Sequence, residues 1–301
     1  MNRTTVVDKA EGKTKEVSLV GRYLSSFLEL GKFRLSLSVA FSSLAAYFLT
    51  ANSVSWNEVA LLGFGGLLLA MSANAFNQYL ERDIDSLMDR TASRPLVKET
   101  ISPIVAIEFV ALTALLALIF LGLLCWCALL LGAVAWITYI VGYTLLKRRS
   151  PRAVELGSLS GALPAAIGVL VVSPSNWLLA SLLFMVQFIW QYPHTWIILK
   201  LYENQYSLIG TKVHAPKRFT QSLLITSLLP PVIMIPVGVM TGISFLLAVS
   251  IALGFILWIV RAWLRYYREG NDNALRKLLI VNLLMLPLNY ALFIILKFIG
   301  L

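Results

Sequence analysis

Long apolar runs recur along this chain and dictate what it can fold into. A helix needs about 20 mostly apolar residues to cross a bilayer. Nine segments reach that length, at roughly 34–51, 58–77, 103–121, 124–144, 153–172, 177–199, 221–239, 243–262 and 277–297. The runs are continuous and do not alternate, so they read as helices and not as strands of a transmembrane barrel. Composition agrees: 58% of the 301 residues are hydrophobic and 13% charged, against about 25% charged in a soluble domain. A soluble globular enzyme and a disordered chain are excluded. Two cysteines are too few for a disulfide scaffold. Cys125 and Cys127 lie inside an apolar run and are expected to be small lipid- or core-facing residues. The fold expected is an all-α membrane protein with nine transmembrane helices in one polytopic domain over residues 18–301. Leu121 and Leu124 leave room only for a tight turn, so the third and fourth spans should be antiparallel neighbours.

Residues 1–17 mix Lys9, Lys13 and Lys15 with Asp8, Glu11 and Glu16, and are expected to form a flexible cytoplasmic arm. They show neither the acid-poor pattern of a transit peptide nor the apolar core of a cleaved signal. Residues 18–33 place Val20, Leu24, Phe27 and Leu28 at helical spacing among charges, which suits a short helix lying in the membrane interface.

A net charge of +10 invites a nucleic-acid reading, but the distribution of the basic residues argues otherwise. Of the 25 Lys and Arg, only Lys297 falls on one side of the expected bundle; the others lie in the amino-terminal arm and the four even loops. By the positive-inside rule these segments are cytoplasmic and the carboxyl terminus is outside. The bilayer is the expected partner, the cell (inner) membrane the expected location, and no nucleic acid is expected.

The end of the second span carries the chemistry. Asn74, Asn77, Glu81 and Asp85 fall on one helical face, at i, i+3, i+7 and i+11. Asp89 lies near the rim of that face and Asp83 points the other way. Like charges four residues apart repel, so such a stack needs cations against it. Hard oxygen donors suit Mg²⁺, which keeps waters and bridges to a substrate phosphate. Arg90 and Arg94 follow and can grip the same phosphate through forked donors. The plain alternative is a solvated helix end of mixed charge. Asn74 and Asn77, still inside the apolar run, weigh against it, since polar groups in a membrane are expensive and usually functional.

The spacing Asn77-x3-Glu81-x3-Asp85, followed by Arg90-Thr91-x2-Arg94-Pro95-Leu96, resembles the first aspartate-rich motif of the UbiA superfamily of intramembrane prenyltransferases. Glu81 at the middle acid is a variant of one branch. Tyr143 to Pro151, with Lys147, Arg148 and Arg149, then Gly157, Gly161-Ala-Leu-Pro164 and Ile167-Gly168, resemble that branch. So does Phe188-Ile-Trp190-Gln191-Tyr-Pro193-His194-Thr-Trp196. The branch is that of the protoheme IX farnesyltransferases. The opening Leu28 to Arg34 is similar too, with Phe33 where a proline is usual.

The resemblance implies a UbiA-type bundle with a cytoplasm-facing cavity, and transfer of farnesyl from farnesyl diphosphate to a vinyl group of haem B. It implies Mg²⁺ as cofactor, haem B as substrate, and a downstream haem A synthase as partner. Catalytic roles then fall on Asn77, Glu81, Asp85, Arg90, Arg94 and Lys147, with Asn77, Glu81 and Asp85 as metal ligands. Substrate binding falls on Asn74, Arg148, Arg149, Trp190, Gln191, His194 and Tyr206. Lys147 to Arg149 can meet either the diphosphate or the haem propionates. Gln187, Trp190, Gln191 and His194 share a helical face just before the chain emerges, where Pro193 is expected to kink the helix. His194 can ligate iron, hold a propionate or satisfy a backbone group. One departure stands out: Gln205 occupies the place of the family's acid before Tyr206, and the following Met-Leu-Pro run is absent. Either Glu203 substitutes as a metal ligand, or the diphosphate charge is met there by cations instead.

Two other readings remain. A UbiA-type enzyme acting on an aromatic quinone precursor keeps the first motif but gives no reason for the Trp190 to His194 block. A transporter or scaffold should show internal repeats and polar groups at the midplane, whereas these cluster at one membrane face.

Overall fold

The computed structural model describes residues 19–87, 91–147, 149–150, 152–204 and 215–300. The arm at 1–17, and Asp89, Arg90, Arg148, Gln205, Tyr206 and His214, lie outside the described residues. Helices follow one another as α1 (Leu19–Leu30), α2 (Phe33–Thr50), α3 (Trp56–Asp85), α4 (Pro103–Leu124) and α5 (Trp126–Ile137). α5 continues as a π-helix over Thr138–Thr144. Then come α6 (Ala153–Val172), α7 (Trp177–Leu201), α8 (Phe219–Met240), α9 (Phe245–Glu269) and α10 (Asp272–Ile299). No strand occurs among the described residues.

Each of the nine apolar runs falls on one of α2 to α10. Eight of these helices are long and apolar enough to cross a membrane. α7 has the length, at 25 residues, but Gln187, Gln191 and His194 make it the polar one of the set. It passes through Pro193 without ending.

Local chemistry sets several boundaries. Ser102 Oγ accepts from Val105 N (3.3 Å) with Pro103 at the first helical position, so α4 starts there. Asn176 and Asn271 cap α7 and α10 in the same way, accepting from Leu179 N (3.2 Å) and Ala274 N (2.8 Å). α9 ends at Gly270, whose φ of 61° is open to glycine at no steric cost. The turn between α4 and α5 is tighter and later than the sequence suggests. It is the single extended residue Cys125, and Gly122 and Leu123 remain helical. Cys125 Sγ accepts from Ala128 N (3.4 Å), which starts the next helix at once. Cys127 is buried core.

α2 is the pivot of the bundle. It packs against α3, α6 and α10, and α3 to α6 close an arc around it. α7 to α10 form a second arc, joined through α6·α7, α7·α10 and α2·α10 contacts. The α2–α6 approach is so close that a Cβ on Gly168 would sit 2.1 Å from the Ser43 carbonyl oxygen. At the far end Lys297 Nζ donates to Leu49 O (2.8 Å) and Ala51 O (2.7 Å), satisfying carbonyls at the end of α2 and just past it. α1 lies outside the bundle with Tyr23 and Leu24 exposed, and rests on α4 through Phe27 and Phe109, 5.3 Å between ring centroids.

Candidate active site

One stripe of α3 builds both halves of the site. Leu62, Gly66, Leu69, Ala70, Ala73 and Asn74 share a helical face and line a cavity of about 220 Å³. α2, α5 and α6 close it with Leu35, Val39, Trp136, Tyr139, Gly157 and Gly161 among others. Farther along the same face stand Asn77, Glu81 and Asp85. The apolar stripe thus runs straight into the oxygen donors, with Asn74 at the junction.

The junction is held by buried hydrogen bonds. Asn74 Nδ2 donates to Ser36 Oγ (3.1 Å), which donates to Gly31 O (2.8 Å). The Tyr139 hydroxyl, from the π-helical turn, lies 3.5 Å from Asn74 Oδ1. Asn77 Nδ2 donates to Thr144 Oγ1 (3.4 Å), on the same turn, leaving its own carbonyl oxygen as the acceptor. The π-helix therefore aims two groups at the α3 face, and widened turns of this kind recur at functional sites.

Beyond Asn77 the site is ionic. Lys147 pairs with Glu81, and Arg94 pairs with Asp85. Thr91 Oγ1 donates to Asp85 O (2.8 Å), tying the loop after α3 back onto its end. Asp85 is buried, whereas Asp83 has 87% of its side chain exposed, as the helical face requires. These pairs meet the repulsion expected of acids four residues apart.

Two residues of the site were not singled out from the sequence. Lys32 is partly buried at the α1–α2 corner in a left-handed backbone conformation, φ 46°. Burial, aided by the neighbouring charges of Arg94 and Lys147, pushes its amine down to about 7, against the opposite pull of Glu81 and Asp85. A non-glycine residue held there costs energy that the surroundings must impose. Gln78 supplies part of that constraint: its Nε2 donates to Glu29 O (3.0 Å) and Leu30 O (2.8 Å), pinning the corner to α3. The signal available for Lys32 was the helix break at Gly31-Lys32.

The α7 residues divide. Gln191 lines the cavity and donates to Ser158 O (3.0 Å). Gln187 donates to Ser42 Oγ (2.7 Å), bridging α7 and α2. Trp190 faces α10, with its Nε1 on Asn282 O (2.7 Å). His194 stacks on Trp190 at 5.5 Å, and its buried Nδ1 has no partner among the described residues. Trp190 and His194 are therefore not among the cavity-lining residues. Glu203 pairs with Lys200 at 2.7 Å on an exposed surface, and Arg149 is exposed.

The donor set suits Mg²⁺. Two carboxylates and an amide oxygen are hard ligands on one face. The described residues hold no cluster of three or more His, Cys, Asp or Glu. Three protein donors fill half of an octahedral shell and leave the other positions to water and diphosphate, the habit of this ion.

Comparison with known proteins follows the same lines. The sequence profile of the UbiA prenyltransferase family matches residues 39–284. A protoheme IX farnesyltransferase of Christiangramia forsetii is 34% identical over 283 residues, covering 92% of this chain and 94% of that protein. One from Flavobacterium johnsoniae is 32% identical, with 90% and 94% covered. Among solved structures, a UbiA homologue from Aeropyrum pernix aligns with a TM-score of 0.72 at 18% identity, covering 88% of this chain and 98% of that one. One from Archaeoglobus fulgidus bound to GPP and Mg²⁺ aligns with a TM-score of 0.64 at 17% identity, with the same coverage. The chain belongs to the UbiA prenyltransferase family.

Proposed function

We propose that this chain transfers the farnesyl group of farnesyl diphosphate to a vinyl group of haem B, giving haem O. The observation that carries the prenyl half of this reading is the continuity of the α3 face, an apolar cavity leading into Asn77, Glu81 and Asp85. The acceptor half is supported by full-length relatives that are protoheme IX farnesyltransferases.

In this reading the isoprenoid tail lies in the cavity and the diphosphate sits at its polar mouth. Asn77, Glu81 and Asp85 would hold Mg²⁺, which when bound neutralises diphosphate charge and makes it a better leaving group. Lys32, Arg94 and Lys147 add positive charge at the same mouth, with Arg90 and Arg148 beside them in sequence. The allylic C–O bond breaks, diphosphate leaves with the electron pair, and the vinyl carbon forms the new C–C bond. The cation left on the porphyrin side takes a hydroxyl from water and releases a proton. The apolar walls of α2, α3, α5 and α6 keep water from the farnesyl cation before the vinyl group reaches it. The 220 Å³ cavity suits a chain and not a porphyrin, so the haem belongs at the mouth. The distribution of the basic residues supports a mouth on the cytoplasmic side of the cell membrane in this reading, with the amino terminus inside and the carboxyl terminus outside. A haem A synthase is the expected consumer of the product.

Membranes containing the protein, given farnesyl diphosphate and Mg²⁺, should prenylate haem B in preference to 4-hydroxybenzoate offered at the same concentration. Prenylation of the phenol with haem untouched would replace this reading by an aromatic quinone-precursor acceptor.

A further inference from the structure

We propose that the groove between α9 and the start of α10 binds an anionic phospholipid, its phosphodiester held by Arg261, Arg268 and Lys277. This surface lies in the second arc, away from the α2–α6 cavity, and the inference does not depend on the reaction assigned above.

The outward stripe of α9 changes character along its length. Leu253 and Leu257 are exposed, the latter 69%, and Arg261, Arg265 and Arg268 continue the same face at helical spacing. The opposite face is occupied by the bundle: Trp263 Nε1 donates to Thr220 O (2.9 Å), and Tyr266 packs on Phe219. The arginines therefore project towards the membrane boundary. With Lys277, from α10, they line a groove of about 850 Å³ floored by Leu257 and Trp258.

Charge in the groove is unbalanced. Its one acid, Glu269, pairs with Arg265 at 2.7 Å and is within electrostatic reach of Lys277, so one negative charge faces four positive ones. Arg261, Arg268 and Lys277 have no ion-pair partner among the described residues. Forked guanidinium donors match the oxygens of a phosphodiester.

A second groove of about 400 Å³ adjoins the first through Trp258 and is lined by Ile251, Gly254, Phe255, Leu288 and Leu292. It is apolar and runs between the same two helices. A Cβ on Gly254 would meet nothing within 4 Å, so no packing contact calls for glycine there. A cationic groove and an apolar groove that meet at Trp258 match a molecule with a phosphate head and an acyl tail. A topology signal alone needs charge in the loop; it needs neither one face nor an apolar channel beneath it.

The test uses the purified full-length protein in neutral detergent, titrated with dioleoyl phosphatidylglycerol or dioleoyl phosphatidylcholine and read by native mass spectrometry. The wild type should bind phosphatidylglycerol in preference to phosphatidylcholine. Arg261→Gln/Arg268→Gln/Lys277→Gln should weaken phosphatidylglycerol about 100-fold, from roughly fivefold per cationic contact. Lys98→Gln/Lys217→Gln/Arg218→Gln, which removes the same charge elsewhere, should change it less than threefold. Gly254→Leu, which fills the apolar channel and removes no charge, should weaken binding tenfold, and it decides the matter if the triple groove variant does not fold. Equal binding of the two lipids by the wild type would overturn the proposal. So would equal losses in the two triple variants, or undiminished binding in Gly254→Leu.

Discussion

The length of the cavity makes a quantitative demand on the substrate. Leu62 to Asn74 spans 12 residues of α3, about 18 Å at 1.5 Å per residue. An extended farnesyl chain of 12 backbone carbons needs about 14 Å at roughly 1.3 Å advance per bond, and a geranyl chain of eight carbons about 9 Å. Gly66 lies eight residues from Asn74, about 12 Å along the same stripe. A Cβ there would meet Ser43 Oγ at 3.5 Å and Ala40 Cα at 3.6 Å, both ordinary contacts, so Gly66→Ala should be tolerated. Gly66→Leu adds three carbons beyond that Cβ on the cavity wall beside Ser43, and is expected to stop the chain at about 12 Å. Geranyl still fits, whereas the end of farnesyl's last isoprene unit does not. Three displaced carbons, the last two of the chain and the methyl beside them, at about 0.8 kcal/mol each amount to about 2.4 kcal/mol if none finds another apolar contact, and half that if the tail folds back. The ratio of kcat/KM for farnesyl over geranyl diphosphate should therefore fall roughly 8- to 60-fold in Gly66→Leu and little in Gly66→Ala. Radiolabelled diphosphates and extraction of the prenylated product give both constants. Equal losses for the two substrates, or an unchanged ratio, would refute the placement of the tail along α3.

Asp85→Asn should lower kcat/KM by about 10²–10³, while Asp83→Asn, on the exposed side of the helix, should stay within a few-fold; equal losses would contradict the single-face reading. The Lys32 amine titrates near pH 7 in the free protein, and an arriving diphosphate favours its ammonium form. Below pH 7 both states carry the proton and affinity is level; above it affinity falls, by up to about tenfold per pH unit, with close to one proton taken up at pH 8 in calorimetry across buffers. Lys32→Arg, always charged, should flatten that profile, and a wild-type profile already flat from pH 7.5 to 9 would contradict the assignment. Gly168→Ala forces a methyl group to within 2.1 Å of the Ser43 carbonyl, a strain of about 1–3 kcal/mol, and should lower the unfolding midpoint in detergent; an unchanged midpoint would mean that α2 and α6 do not approach so closely.

The parts of this molecule legible in the sequence were those set by periodicity. Asn74, Asn77, Glu81 and Asp85 share a face because they sit on one regular helix, and α3 is helical from Trp56 to Asp85. The apolar runs gave the helices for the same reason. Features that depend on two distant segments meeting were not legible. Lys32 looked like one topology charge among many until the α1–α2 corner turned it towards Glu81 and Asp85. Trp190 and His194 share a helical face with Gln191, but side chains on the edges of so wide a face have different neighbours. Gln191 reaches the cavity while Trp190 finds Asn282 on α10. The α4–α5 turn at Cys125 depends on a sulfur acceptor that hydropathy does not register. Gly168 was noted as part of a motif, and its physical reason, contact with the α2 backbone, appears only once both helices are in place.

The central claim is that the α3 face with its paired cations drives farnesyl transfer onto haem. The most direct measurement is the mass of the haem recovered after purified protein is incubated with haem B, farnesyl diphosphate and Mg²⁺. The account predicts a product heavier than haem B by one farnesyl and one hydroxyl group, absent with chelator and strongly reduced in Asp85→Asn. Recovery of unmodified haem B from the wild type under conditions where farnesyl diphosphate is consumed would contradict it.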